Sequence, residues 1–246
     1  MLTALDGVRG AVHARALAYD ATPGATPVSA EKAAVLARVP ANARVLEVGA
    51  HTGYFSALLR ARGCRVTALE VDPRAAAHAR AHADRVVVGD VEDATVRAGL
   101  GGPFDAILFM HVLEHLVDPW AVLRAVCPLV ADGGRVVVLL PNVGCWRVRK
   151  ALFLQGRFEY EDEGILDRTH LRFFTLESAR ALLETSGYAV REVVGVDVCV
   201  PLERRLRALP LARALAPAWH RALVTRFPNL CTEIALYEAI VPAREA

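Results

Sequence analysis

From residue 43 onward, apolar runs of strand length alternate with stretches of helical period, and that alternation constrains the fold more than any other feature of the chain. The apolar runs are Arg44–Val48, Arg65–Val71, Arg85–Gly89, Phe104–Met110 and Arg135–Leu140. Each is nearly unbroken, the pattern of strands covered on both faces. Helical stretches at Tyr54–Arg62, Pro73–Ala83, Glu92–Leu100 and Pro119–Ala131 lie between them. Parallel strands need such crossovers, so the order predicts a doubly wound α/β sheet. With 246 residues, 54% of them hydrophobic, the chain can bury the core of one such domain spanning 1–246.

The pattern changes after residue 141. Residues 142–175 read as aromatic, charged and irregular, Leu176–Ser186 as a helix stopped by Gly187, and Tyr188–Val198 and Leu230–Val241 as two further strands. Between those strands, 199–228 is rich in Arg, Leu and Pro and reads as a helical lid, so both segments are expected to be insertions on the substrate side. At the other end, residues 1–40 read as a helical cover, with a helix over Leu2–Ala18 and a break at Pro23–Pro27.

In open α/β sheets ligands sit at the carboxyl ends of the strands. The first strand ends Leu46-Glu47-Val48-Gly49 and turns through Ala50-His51-Thr52-Gly53 into a helix. Its two glycines permit a sharp turn and close approach to a ligand. Glu47, an acid on an apolar strand, needs a donor or cation beside it. The second strand ends at Glu70 and Asp72. A carboxylate there can accept two ribose hydroxyls, and because Asp72 precedes Pro73 as a helix cap would, Glu70 is the better choice. The third ends at Asp90, placed to accept from an exocyclic amine.

This run, with FDAILFMHVLEHLVDP at Phe104–Pro119, resembles the class I S-adenosylmethionine (SAM)-dependent methyltransferases over about residues 30–198. The strand-four exit is similar to that of the ubiquinone-pathway O-methyltransferases, and GILDRTHLRFFT at Gly164–Thr175 to a bacterial subgroup acting on sugars and natural products. The resemblance implies a seven-stranded sheet with its last strand antiparallel. It also implies SAM as cofactor, S-adenosylhomocysteine as product, and a cofactor site of Glu47, Gly49, His51, Gly53, Glu70, Asp90, Val91 and Met110. His51 departs from the family, which usually has glycine there.

The rival readings fare worse. A dinucleotide site needs G-x-G-x-x-G, whereas the glycines here are spaced G-x-x-x-G. His111-x-x-Glu114-His115 matches an inverted zinc-protease motif, but leaves a strand instead of lying on a helix across a metal site. A metal held by His111, Glu114 and His115 is the milder alternative. The reading adopted has no metal, with Glu114 and His115 making structural hydrogen bonds. The strand-four exit lacks the N/D-P-P-Y/F tetrapeptide of nucleic-acid methyltransferases, and a formal net charge of +2 gives no reason to expect a nucleic-acid partner.

The expected activity is methyl transfer to an oxygen or nitrogen of a small molecule; the alternative is a SAM-binding protein of the same fold that does not methylate. The base is sought among His170, His115 and His111, imidazole being the side chain that titrates near neutrality. Arg204, Arg205, Arg207, Arg213, Arg221 and Arg226 occupy the lid with no acid among them. They point to an anionic acceptor, a nucleotide-linked or phosphorylated sugar or natural-product intermediate, or to an acidic carrier protein. Five scattered cysteines with no CxxC spacing, no membrane-length apolar run and no signal-peptide pattern indicate a cytoplasmic protein, monomer or homodimer.

Overall fold

The computed structural model describes residues 28–209 and 213–242; the expected helix over Leu2–Ala18 lies outside them. The described elements are α1 (Ala30–Arg38), β1 (Arg44–Val48), α2 (Tyr54–Arg60), β2 (Arg65–Glu70), α3 (Pro73–Ala79), β3 (Arg85–Val88), α4 (Ala94–Ala98) and β4 (Phe104–Met110). They continue with α5 (Pro119–Val126), β5 (Val130–Pro141), α6 (Trp146–Gln155), α7 (Leu176–Thr185), β6 (Ala189–Val198), α8 (Glu203–Ala208), α9 (Ala216–Arg226), α10 (Pro228–Cys231) and β7 (Thr232–Ile240).

The seven strands form one sheet in the order β3-β2-β1-β4-β5-β7-β6. β1 to β5 run parallel, and β7 enters antiparallel between β5 and β6. The sequence reversal between β1 and β4 places a crevice at their carboxyl ends, where the first strand hands over to each side of the sheet. Two apolar layers hold the sheet. One joins Leu46, Ile107, Phe109 and Val138 to α5 and α7; the other joins Val45, Leu108 and Val137 to α1 and α2. Val35 of α1 is fully buried in the second layer.

Local chemistry sets the helix starts. Asp72, Asp93 and Asp118 each accept a backbone N–H of the following first turn, and Pro73 and Pro119 supply the pre-set first helical residue. Thr175 and Ser178 form a reciprocal capping box on α7. Asp72 is therefore the helix cap that its place before Pro73 predicts.

Three expectations are corrected. The helix expected over Pro119–Ala131 stops at Val126 and passes through a 3-10 turn, Cys127–Leu129, because Pro128 cannot continue the hydrogen-bond ladder. The fifth strand accordingly starts at Val130 and carries an irregularity against β4 before Arg135. The segment 142–175 is not wholly irregular: it contains the ten-residue helix α6. Asn142 ties that segment down, its buried amide donating to the carbonyls of Asn229 and Thr232 and its oxygen accepting from Gly144 N–H.

Phe109, on β4 and fully buried, fills the first layer. Phe109→Ala is expected to cost about 3–5 kcal/mol by the lost transfer energy and the residual cavity. Urea unfolding followed by far-UV circular dichroism measures it; a loss below about 1 kcal/mol would mean that the layer collapses around the gap.

Candidate active site

A cavity of about 830 Å³ opens at the carboxyl ends of β1, β2 and β4, within the size range of small-molecule sites. Glu47, Gly49, His51, Glu70, Asp90, Val91 and Met110 all line it, as do Glu31 and Lys32 from α1. Of the expected cofactor residues only Gly53 is absent from the lining. It serves instead as the left-handed residue at the start of α2, where an added Cβ would stand 2.8 Å from the backbone of Ala79.

Besides Gly53, the turn after β1 is built around two left-handed residues, Gly49 and His51. Gly49 has φ +72°, and a Cβ there would meet Val112 at 2.7 Å, so the turn and the strand-four exit approach as closely as they do only because the residue is glycine. His51 has φ +52°, a conformation glycine adopts freely and a side chain pays for. Its backbone N–H donates to Glu70 Oε2 at 2.7 Å, which holds it there, while its buried Nε2 has no hydrogen-bond partner among the described residues.

Glu70 accepts a second N–H, that of Asp72, at 2.9 Å. One carboxylate thus binds the exits of both β1 and β2 and retains acceptor capacity toward the cavity. Glu47 is fully enclosed and takes a short hydrogen bond from the Ser56 hydroxyl. Burial pushes its carboxyl up to about 7, with Ser56 opposing the rise and the Glu70 charge adding to it. Asp90 closes the third strand exit with a turn, accepting the Glu92 N–H at 2.8 Å.

The strand-four exit carries the charge chemistry. His111 lies between two carboxylates, Nε2 3.3 Å from Glu31 and Nδ1 3.4 Å from Glu114. Burial alone would strip its proton, but Glu114 and Glu31 outweigh burial and push its pKa up to about 9. His111 therefore stands protonated at neutral pH, which corrects its place among the candidate bases. Glu114 is wholly buried, and among the described residues neither of its side-chain oxygens is hydrogen-bonded, Oε1 lying 3.4 Å from His111 Nδ1. This corrects the expectation of a structural hydrogen bond from that side chain. Burial favours its neutral form, yet the charge of His111 holds its pKa below the ordinary value. Its backbone carbonyl instead accepts the N–H groups of Leu171 and Arg172, pinning the 142–175 segment over the site.

The other two histidines divide. His115 lines the cavity, and its Nδ1 lies 3.2 Å from the Thr169 carbonyl, which fixes the proton on Nδ1 and leaves Nε2 as an acceptor. His170 does not line the cavity. It is buried behind His115 at 4.8 Å between ring centroids, donating Nδ1–H to the Ile165 carbonyl at 3.1 Å, and burial lowers its pKa. Glu114, His115 and His170 each place one ligand atom within 4.8 Å of the others. Imidazole nitrogens and a carboxylate are a donor set that a divalent ion takes; the set includes His170 in place of the His111 of the sequence motif.

None of the described residues of 199–228 lines the cavity, and its rim carries Asp162, Glu163 and Asp167 instead. The described lid residues therefore lend the expected anionic acceptor no geometric support. Glu203, one residue before the arginine run, pairs with Arg207 and lies 2.8 Å from His220 Nδ1. Lys32 belongs to no sequence motif, yet its Nζ sits over the Tyr54 ring, 4.4 Å from the centroid, at the cavity wall.

Residues 19–193 match a family described as a methyltransferase domain. A ubiquinone biosynthesis O-methyltransferase from Xanthomonas axonopodis pv. citri is 38% identical over 109 residues, covering 42% of this chain and 45% of that protein. One from Xylella fastidiosa is 38% identical over 112 residues, 43% and 45% of the two chains. The chain thus spans about half the length of the curated relatives it matches. Among solved structures, a SAM-dependent methyltransferase from Thermotoga maritima, described as a possible histamine N-methyltransferase, superposes with a TM-score of 0.58 at 18% identity, covering 87% and 88%. The CcbJ methyltransferase of Streptomyces caelestis gives 0.60 at 17%, covering 93% and 96%. Those two likenesses speak to the fold.

Because the folded state holds the His111 proton more tightly than an unfolded histidine with a pKa of about 6.5, the group's stabilisation is complete below about pH 6.5 and disappears as pH rises through about 9. Glu31→Gln removes one of its two carboxylates. An imidazole NMR titration is expected to place the His111 midpoint near 9 in the native chain and clearly lower in the variant. Equal midpoints would show that Glu31 does not hold the proton.

Proposed function

The chain belongs to the methyltransferase family, in its class I SAM-dependent branch, and from that premise we propose that the cavity binds SAM and that the protein passes its methyl group to an oxygen or nitrogen of a small molecule. The observation that carries the reading is the convergence of three strand-end carboxylates, Glu47, Glu70 and Asp90, on one cavity around a glycine-dependent turn.

The residues present fit the cofactor. Glu70, oriented by two backbone N–H groups, offers its remaining acceptor capacity to the ribose hydroxyls. Asp90 accepts from the adenine amine, and Val91 and Met110 supply apolar wall. Glu47, whose carboxyl titrates near 7 without a ligand, is the group that a cationic α-amine holds ionised. When bound, SAM supplies an activated methyl group with its leaving group attached.

The protein's part is then to align the acceptor, exclude water and take a proton. Nε2 of His115 is the atom we assign as base, because the Thr169 carbonyl holds the proton on the opposite nitrogen and the ring faces the cavity. His170 and Thr169 orient that ring, and His111, already charged, anchors α1 across the cavity through Glu31. The relatives' O-methyltransferase names favour an oxygen acceptor. The five free thiols suit a reducing cytosol, and among the described residues no helix is long and apolar enough to cross a membrane.

Calorimetric titration with S-adenosylhomocysteine tests the assignment of Glu70. Glu70→Ala is expected to weaken binding by about tenfold or more, the worth of one charge-assisted hydrogen bond. Asp72→Asn, at the neighbouring cap, is expected to leave affinity within about threefold, since a short polar side chain still caps the helix. Equal losses in the two variants would assign both residues to the turn and neither to the ribose.

A further inference from the structure

The exposed apolar surface of this protein is gathered in two places. Among the described residues thirteen large hydrophobic side chains are exposed, and ten of them belong to two segments, 152–160 and 202–227. Both segments hang from the carboxyl edge of the sheet. α6 follows the end of β5, and the second segment leaves β6 at Val198 and re-enters β7 at Thr232. Asn142 and Asn229 join their roots.

α6 projects. Its first half is rooted by Val148, 4% exposed in a cluster with Cys145, Ile165 and Leu166, whereas Phe153 near its end is 87% exposed. Helical spacing sets Arg149 one turn before Phe153 and Lys150 one turn before Leu154, so the helix ends in an apolar tip behind a basic collar. Of the acidic stretch that follows, Glu159, Glu161 and Asp162 pair with Arg157, Arg147 and Arg168, and Glu163 lines the cavity.

The second segment has the same composition. From 199 to 228 there are six arginines against the single Glu203, in a chain whose formal net charge is only +2. Glu203 takes Arg207, while Arg213, Arg221 and Arg226 have no carboxylate partner among the described residues. In α9 only Ala216 is buried, and Trp219 and Phe227 stand exposed beside those arginines.

The geometry points to this edge as a docking surface for anionic lipid: the tip of α6 and the α9 region enter the headgroup layer side by side, apolar side chains inward and arginines at the phosphates. Apolar anchors with a collar of cations and interfacial Trp and Phe are what a headgroup layer selects. The strong positive excess of the lid favours a lipid surface of opposite charge over a second copy of this same basic face. Phe158 contacts Phe173, whose ring neighbours His170 behind the site, so docking sets the cavity rim beside the membrane.

Flotation of the full chain with vesicles tests this. Binding is expected to vesicles of phosphatidylcholine mixed with phosphatidylglycerol, to fall as salt is raised, and to be at least about tenfold weaker on phosphatidylcholine alone. Phe153→Glu with Leu154→Glu is expected to reduce partition at least about tenfold, and Arg213→Glu with Arg221→Glu to abolish the preference for anionic vesicles. Unchanged S-adenosylhomocysteine affinity and melting temperature in both variants show that they fold. A chain that stays with the buffer in the presence of anionic vesicles overturns the proposal, as does equal partition of native and variant chains. So does light scattering that shows a soluble dimer dissolved by both pairs of substitutions, which assigns the surface to a second copy.

Discussion

One buried carboxylate organises this site. Glu70 receives the N–H of His51, two residues past the glycine of the β1 turn, and the N–H of Asp72, at the cap of α3. Hydrogen bonds to a carboxylate are stronger than neutral ones, and here two of them fix two strand exits at once. The left-handed turn at Gly49 and His51 depends on that anchor, the turn brings Gly49 against Val112 of the strand-four exit, and the cavity is what remains between them. The rest of the fold, a two-faced apolar sheet, serves to hold these strand ends in register.

Above the anchor sits a line of alternating charge, Glu31, His111 and Glu114, running from α1 to the interior. An enclosed carboxylate with no hydrogen bond, such as Glu114, is costly unless a cation stands beside it, and His111 is that cation. The consequence for chemistry is a division of labour among three histidines close in space. His111 balances charge and holds α1, His170 is tied to the Ile165 carbonyl, and His115 lines the cavity with Nδ1 beside Thr169.

The bounds of β1 and β4 are legible in the sequence because strands covered on both faces leave unbroken apolar runs. The strand-end acids are legible for the complementary reason that a charge among such residues needs a purpose. α6 is not legible, because WRVRKALFLQ has no apolar stripe: only Val148 is buried, while Leu152, Phe153 and Leu154 stand in solvent. Nor can spacing decide which of His111, His115 and His170 faces the cavity, since that depends on the fold-back of 164–175 onto the Glu114 carbonyl. The arginine run has one acid near it, Glu203, which stands one residue outside it and pairs with Arg207, so most of the run's charge stays uncompensated among the described residues. Its distance from the cavity was set by the placement of β6 and β7 at the far edge of the sheet, which no local pattern encodes.

The central claim is that the β1–β2–β4 crevice holds the adenosyl cofactor through its strand-end acids. A crystal structure of the chain with S-adenosylhomocysteine tests it most directly. The account predicts the ribose hydroxyls on the Glu70 carboxylate, the adenine amine at Asp90, and the thioether in the part of the cavity faced by His115. A nucleoside bound elsewhere, or one in this crevice whose ribose makes no contact with Glu70, would contradict it.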